Sequence, residues 1–208
     1  MLIVPLAPAR AEILVANSRF IASLAPADST EAARAYIAAI RHELPDATHH
    51  VPAFILGGGN ATTEYCSDDG EPSGTSGRPL LAVLKGSGLG NAVVVVTRYF
   101  GGTLLGTGGL VKAYTEAGKA VLATVRRAAL VETHRVSLTL PYHLFDRART
   151  VLSDTGATTV SENFAEDVNL VIDVAIEDYQ EFVSRLSQIS SGGARPRIES
   201  TRMAPRPL

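Results

Sequence analysis

Carboxylates, cations, aromatic rings and glycines are crowded into two short stretches of this 208-residue chain. The first reads Asp68-Asp69-Gly70-Glu71-Pro72-Ser73-Gly74-Thr75-Ser76-Gly77-Arg78-Pro79. The second reads Arg98-Tyr99-Phe100-Gly101-Gly102-Thr103-Leu104-Leu105-Gly106-Thr107-Gly108-Gly109-Leu110, with Lys112 just beyond. Glycine loses more backbone entropy on folding than any other residue, so clusters this dense belong where the chain turns tightly or where a ligand approaches the main chain. Three chemistries suit these residues. Glycine amides flanked by Arg78, Arg98 and Lys112 suit an anion, Arg98, Tyr99 and Phe100 suit stacking and clamping of a nucleotide, and Asp68, Asp69 and Glu71 suit a hard cation.

The familiar phosphate frames do not fit. The Gly118-Lys119 pair is followed by Ala120 inside an expected helix, which excludes a Walker loop, and Gly106-Thr107-Gly108 begins like a dinucleotide fingerprint but carries Val111 at the third glycine position. A helix that starts from glycines at Gly106, Gly108 and Gly109 still exposes free amides and a positive dipole end to an anion. The alternative is that these glycines only let helix and sheet pack closely. His49 and His50 are adjacent and would point to opposite faces of a strand, and no zinc spacing occurs, so no metal ligand is assigned. The three acids fit hydrogen bonding to loop amides or to an arginine better than metal binding, with Arg98 paired to Asp68 or Asp69 as one option. Ser73, Ser76 and Ser87 sit in no nucleophile elbow, and no catalytic residue is assigned.

Composition narrows the class. A hydrophobic fraction of 46% can fill a core, and a formal net charge of -2 argues against a strongly cationic binder held by bulk attraction to phosphate, so any nucleic-acid contact is local. The single cysteine, Cys66, excludes an internal disulfide framework and fits a reducing compartment. Pro5, Pro8 and Arg10 interrupt the apolar start, no run reaches membrane-spanning length, and a cytoplasmic protein is expected. Asn60-Ala61-Thr62 matches a glycosylation acceptor by chance.

The elements that must hold the two blocks follow from periodicity. A strand around 17–21 precedes a helix capped by Asp28 with Glu31, with Ala33, Ile37, Ile40 and Leu44 on one face and Pro45 beyond its end. Strands are expected over 50–56 and 63–67 about a turn at 57–60, then a short helix over 79–84 and a mobile connection over 85–90. Val93-Val94-Val95-Val96 reads as a strand covered on both faces that leads into Arg98. Leu110, Tyr114, Ala117, Val121 and Val125 mark an amphipathic helix over 107–127. From about residue 135 the order becomes strand, helix, strand over 158–164, strand over 168–174, helix over 179–189 and strand over 194–199, ending in a Pro- and Arg-rich tail that is read as solvated. That βαββαβ order is ferredoxin-like. Two domains are expected, 1–133 and 134–208, in an α+β protein. Residues 134–208 hold eight Arg against ten Asp and Glu, and lack the paired aromatic strand motifs of an RNA-binding sheet.

The two glycine blocks, extended through Val111-Lys112-Ala113-Tyr114 and joined by Asn17-Ser18-Arg19-Phe20 and Ala47-Thr48-His49, resemble the hallmark of the IMPACT family and its bacterial YigZ-type branch. The resemblance extends over nearly the whole chain, departing at His50 and Ser76. It implies an N-terminal α/β sandwich like domain four of elongation factor G, and a C-terminal ferredoxin-like domain like the last domain of that factor. Such relatives touch RNA. The resemblance therefore implies a non-enzymatic, RNA- or ribosome-associated regulator of translation, with Arg78, Arg98, Tyr99, Gly101, Gly102, Gly106, Gly108, Gly109 and Lys112 as nucleic-acid or anion contacts beside the Asp68, Asp69, Glu71 loop. An enzyme or sensor for a small phosphorylated ligand, with or without a divalent cation, and a protein-interaction module remain the alternatives. No cofactor, DNA specificity or membrane partner is expected.

Overall fold

The structure, a computed structural model, describes residues 1–58 and 61–208. Gly59 and Asn60 lie outside the described residues, and with them part of the expected 57–60 turn and the asparagine of the glycosylation-like pattern. The chain divides into two compact units, Leu2–Ala129 with Pro207–Leu208, and Met1 with Leu130–Arg206.

The N-terminal unit contains β1 (Leu2–Pro5), β2 (Ala9–Val15), β3 (Ser18–Pro26), α1 (Thr30–Glu43), β4 (His49–Gly58), β5 (Ala61–Cys66), α2 (Gly77–Gly86), β6 (Ala92–Tyr99) and α3 (Gly106–Leu122). Strands β2 to β6 form one sheet in the order β2-β3-β6-β4-β5, with every neighbouring pair antiparallel. The valine run makes β6 the central strand. Val94 and Val96 pack with Phe20, Leu24 and Val51 against α2 and α3, whereas Val93 and Val95 pack with Phe54 and Leu56 against α1. Side chains alternate across a strand, so a β-branched run with no polar break suits a strand buried on both faces. The same alternation sets the polar end of this strand: Arg98 falls on the α2/α3 face, two residues beyond Val96. Its ladder partners are Phe20 on β3 and His49 on β4.

Several local expectations are corrected. Ala16 and Asn17 both take positive φ (45° and 65°) and close a β2–β3 hairpin, so Asn17 belongs to a turn and not to the strand expected around 17–21. Helix α1 is capped by Ser29, whose hydroxyl accepts from the Ala32 amide at 3.2 Å, and not by Asp28. The connection at 85–90 is packed: Leu89 is buried, and the Gly90 amide donates to the Ile3 carbonyl at 2.8 Å. Helix α3 stops at Leu122, short of Val125, and the chain then enters β7 (Arg127–Leu140).

The C-terminal unit continues from β7 through α4 (Tyr142–Asp154), β8 (Thr158–Phe164), β9 (Val168–Ala175), a 3₁₀ turn (Ile176–Asp178), α5 (Tyr179–Ser190) and β10 (Arg197–Pro207). Strand β9 pairs antiparallel with both β7 and β8, and β10 pairs with β7. Val136, Leu138, Leu170 and Ile172 form the core with Val151, Phe182 and Leu186 of the two helices. The βαββαβ order is as expected, but the Arg-rich tail is the last strand. Arg202 reaches Asp173 at 2.5 Å, and Arg206 reaches Glu177 at 2.8 Å and Asp178 at 2.9 Å, so pairing with carboxylates holds charges that were expected to be solvated.

Gly101 shows how tightly the second block packs. A Cβ there would lie 2.0 Å from the Asn17 carbonyl oxygen and 2.5 Å from the Ser18 nitrogen, and backbone cannot yield as a flexible side chain can. Gly101→Ala is expected to destabilise the protein by about 1–3 kcal/mol, read as a lower urea midpoint. An unchanged midpoint would refute this packing role.

Candidate functional site

The two glycine blocks meet in a cleft of about 440 Å³ in the N-terminal unit. Thr48 and His49 come from the start of β4, Gly70, Glu71 and Pro72 from the acidic loop, Arg98 and Phe100 from the end of β6, and Leu104, Leu105, Gly106, Thr107 and Leu110 from the approach to α3. The Thr48 amide donates to the Arg98 carbonyl at 2.9 Å, and the Phe100 amide donates to Thr48 Oγ1 at 3.2 Å. The walls are largely apolar. The floor is polar.

That floor is a buried ion pair. Arg98 Nη1 donates to Glu71 Oε1 at 2.7 Å, and the Tyr114 hydroxyl donates to the same oxygen at 2.7 Å. The guanidinium lies 5.5 Å from the ring centroids of both Phe20 and Phe100, and Phe20 meets Tyr114 edge-on at 5.3 Å. Burial pushes the Tyr114 hydroxyl's pKa far up, reinforced by its hydrogen bond to Glu71 and by that carboxylate's charge. His49 Nε2 stands 3.9 Å from Glu71 Oε2. The expected partnership of Arg98 with Asp68 or Asp69 is therefore replaced by Glu71, the acid whose loop position faces the end of β6.

The other two acids hold the loop itself. Asp68 accepts from the Gly74 amide at 2.8 Å, the Gly77 amide at 2.8 Å, the Ser76 amide at 3.2 Å and the Ser76 hydroxyl at 2.9 Å. Burial opposes ionisation of Asp68, but these donors prevail and hold its carboxyl below the usual carboxylate range. Asp69 pairs with Arg41 and accepts from the His50 amide at 2.6 Å, while its carbonyl meets His49 Nδ1 at 2.8 Å. His49 and His50 face opposite sides of the sheet, and His50 Nε2 contacts the Leu44 carbonyl beyond α1 at 2.9 Å. Among the described residues no group of three His, Cys, Asp or Glu is arranged to hold a metal ion.

The remaining site residues divide by role. Arg98 and Gly106 line the cleft, whereas Tyr99 points to the opposite face of β6 under Arg19, 5.6 Å from its ring, because neighbouring strand residues alternate. Only Arg98 and Phe100 of the expected clamp reach the cleft. Gly102 (φ 83°) and Gly106 (φ 69°) occupy left-handed backbone, and a Cβ on Gly109 would press on Leu105 at 3.1 Å. Gly108 differs: it lies in the first turn of α3 with open space around its missing Cβ and an ordinary φ. Alanine is the better helix former by up to about 1 kcal/mol, so nothing in the fold requires glycine there. Leu105 provides no side-chain cap, which leaves the first amides of α3 free of one. Lys112 and Arg78 are exposed on α3 and α2 outside the cleft lining.

Tyr114 and His49 escaped assignment as site residues. Tyr114 fell into the apolar stripe of α3, and the available signal was its hydroxyl, which needs a partner when buried. His49 enters the sequence reading as a metal candidate and within Ala47-Thr48-His49, neither of which assigns it a place at the cleft.

A two-unit α+β protein with a sheet covered on both faces, its two glycine blocks closing on one buried ion pair, is the class that fold and site define. Residues 16–122 match the Impact N-terminal domain, and residues 138–192 match the Domain of unknown function (DUF1949). The chain belongs to the IMPACT family. It is 38% identical over 194 residues to the IMPACT family member YigZ of Escherichia coli (strain K12), covering 91% of this chain and 94% of that protein. It is 36% identical over 179 residues to an IMPACT family member of Haemophilus influenzae, covering 86% and 87%. A solved structure described as the crystal structure of an hypothetical protein aligns with a TM-score of 0.60 at 35% identity, covering 96% of this chain and 97% of the other. No helix among the described residues is long and apolar enough to cross a membrane.

Removing one member of a buried pair strands the other charge. Glu71→Ala is expected to cost about 3–5 kcal/mol of stability in urea unfolding at neutral pH, and a loss below 1 kcal/mol would contradict the pair's structural role. Asp68 gives a pH signature. Its folded-state pKa lies below the ordinary 3.8, so its stabilisation is complete above that value and is lost as pH falls through the lower folded-state value. Asp68→Asn should flatten the acid-side decline of stability; a profile parallel to wild type would remove Asp68 from the account.

Proposed function

We propose that this IMPACT family member is a non-enzymatic regulator of translation that binds RNA, free or on the ribosome, at the cleft and the exposed first turn of α3. The observation that carries this reading is the uncapped N-terminus of α3 opening beside Phe100, an exposed ring whose inner face rests on Arg98. Free amides and the positive helix end suit a phosphate, and an exposed ring suits a base. Gly108, which the fold does not need, leaves the helix open to close approach. Lys112 lies on the same helix and forms no salt bridge among the described residues, so its charge is free to meet phosphate. Arg98 contributes by holding Phe100 and Glu71 rather than as a free counter-charge. In this reading the acids are structural: Asp68 holds loop amides, and Glu71 Oε1 holds the Arg98–Tyr114 floor. The link to translation rests on the resemblance to elongation factor domains. A small phosphorylated ligand is the second reading, favoured by a cleft volume that suits one such molecule.

Arg98→Glu is a poor probe, because it would bury two carboxylates together. The informative variants are Lys112→Glu and Phe100→Ala, measured for association with ribosomes and total RNA across a salt series. The expected outcome is salt-sensitive binding, weakened about tenfold or more by Lys112→Glu with a salt slope smaller by about one, while both variants retain the wild-type unfolding midpoint. Binding that neither variant changes would overturn this site.

A further inference from the structure

Resting on the reading of the cleft as an RNA site, we infer that its floor reads the sugar: His49 Nε2 accepts the 2′-hydroxyl hydrogen of a ribonucleotide, with Glu71 Oε2 beside it as a second acceptor, so the site selects RNA over DNA. The first acceptor follows from the histidine's other nitrogen. His49 Nδ1 lies 2.8 Å from the Asp69 carbonyl oxygen, which can only accept. The neutral ring therefore carries its hydrogen on Nδ1 and presents a lone pair at Nε2. The second acceptor follows from the asymmetry of Glu71. Among the described residues, Arg98 and Tyr114 both donate to Oε1, while Oε2 faces His49 Nε2 at 3.9 Å.

Both residues line the cleft, and the Glu71 side chain is only 3% exposed. With the ring neutral, two acceptors 3.9 Å apart cannot serve each other. Both are open to a donor brought by a third party. Charge decides which donor. Arg98 already neutralises Glu71, and the start of α3 adds positive potential, so a neutral hydroxyl on an anionic ligand fits better than an ammonium. A ribose phosphate combines the two, with phosphate toward the α3 amides and its 2′-hydroxyl toward the floor. The 2′-hydroxyl is the group by which a protein separates RNA from DNA.

The test compares single-stranded RNA and DNA oligonucleotides of one base sequence by fluorescence anisotropy at one low salt concentration. The proteins are wild type, Lys112→Glu, His49→Phe and His49→Gln. Wild type is expected to bind RNA about tenfold more tightly than DNA, the size of one well-made hydrogen bond to a buried acceptor. His49→Phe should remove the preference, so that the variant binds RNA and DNA with equal affinity. His49→Gln, which can offer an oxygen acceptor, should recover part of the preference. Equal affinity of wild type for the two strands, both weakened by Lys112→Glu, would overturn the sugar reading and leave the strand-binding cleft standing. So would an equal loss of RNA and DNA binding in His49→Phe, which would make the histidine a prop for the Asp69 loop. Failure of wild type to bind either strand would bring down the RNA reading of the cleft and the sugar reading with it.

Discussion

The N-terminal unit depends on one requirement: the Arg98 guanidinium, placed at the end of a strand buried on both faces, must find an anion without reaching water. Burying an isolated charge costs far more than a domain's whole margin of stability, so the partner's position cannot be left free. Glu71 meets the requirement from a loop 27 residues earlier, and the Tyr114 hydroxyl adds a second donor from α3. The rings of Phe20 and Phe100 both lie against the guanidinium. One electrostatic demand therefore ties together β3, the acidic loop, β6 and α3. The cleft forms where the acidic loop, the end of β6 and the approach to α3 meet the start of β4.

Around that pair, each glycine block performs two tasks. The acidic loop is held by its own side chains, with Asp68 gathering the amides that lead into α2 and Asp69 bridging to Arg41 of α1 and to His50. This leaves Glu71 free to face inward. The second block lets backbone approach backbone at Gly101, turns at Gly102 and Gly106, and then delivers an open helix start at Gly108. Rigidity on one side and accessible amides on the other are what a binding site asks of its scaffold. The C-terminal unit puts its buried charge to a different use. Its Asp173, held by Arg135 and Arg202, pins the last strand beside β7.

Much of this architecture was legible in the residues. The valine run announced a strand with no exposed face, helical spacing from Leu110 to Val121 announced α3, and the period-two pattern from Val136 to Leu140 opened the βαββαβ unit. Strand alternation placed His49 and His50 on opposite faces. These features were readable because hydrophobic periodicity reflects local geometry, which neighbouring residues share. The β2–β3 hairpin was not legible, since Ala16 gives no turn signal and its positive φ is imposed by the pairing of the strands on either side. Nor was the tail, because charged residues at an edge strand read the same as a solvated segment until Asp173, Glu177 and Asp178 are brought beside them.

Sequence by itself determined most of the elements, the two-domain α+β class and the pair of glycine blocks that line the cleft, because composition and period act over a few residues. The tertiary structure alone decided which acid meets Arg98, which two of three neighbouring residues enter the cleft, and which nitrogen of His49 faces it. Those choices lie between residues far apart in the chain, where the cost of burying a charge selects one partner among several that composition allows.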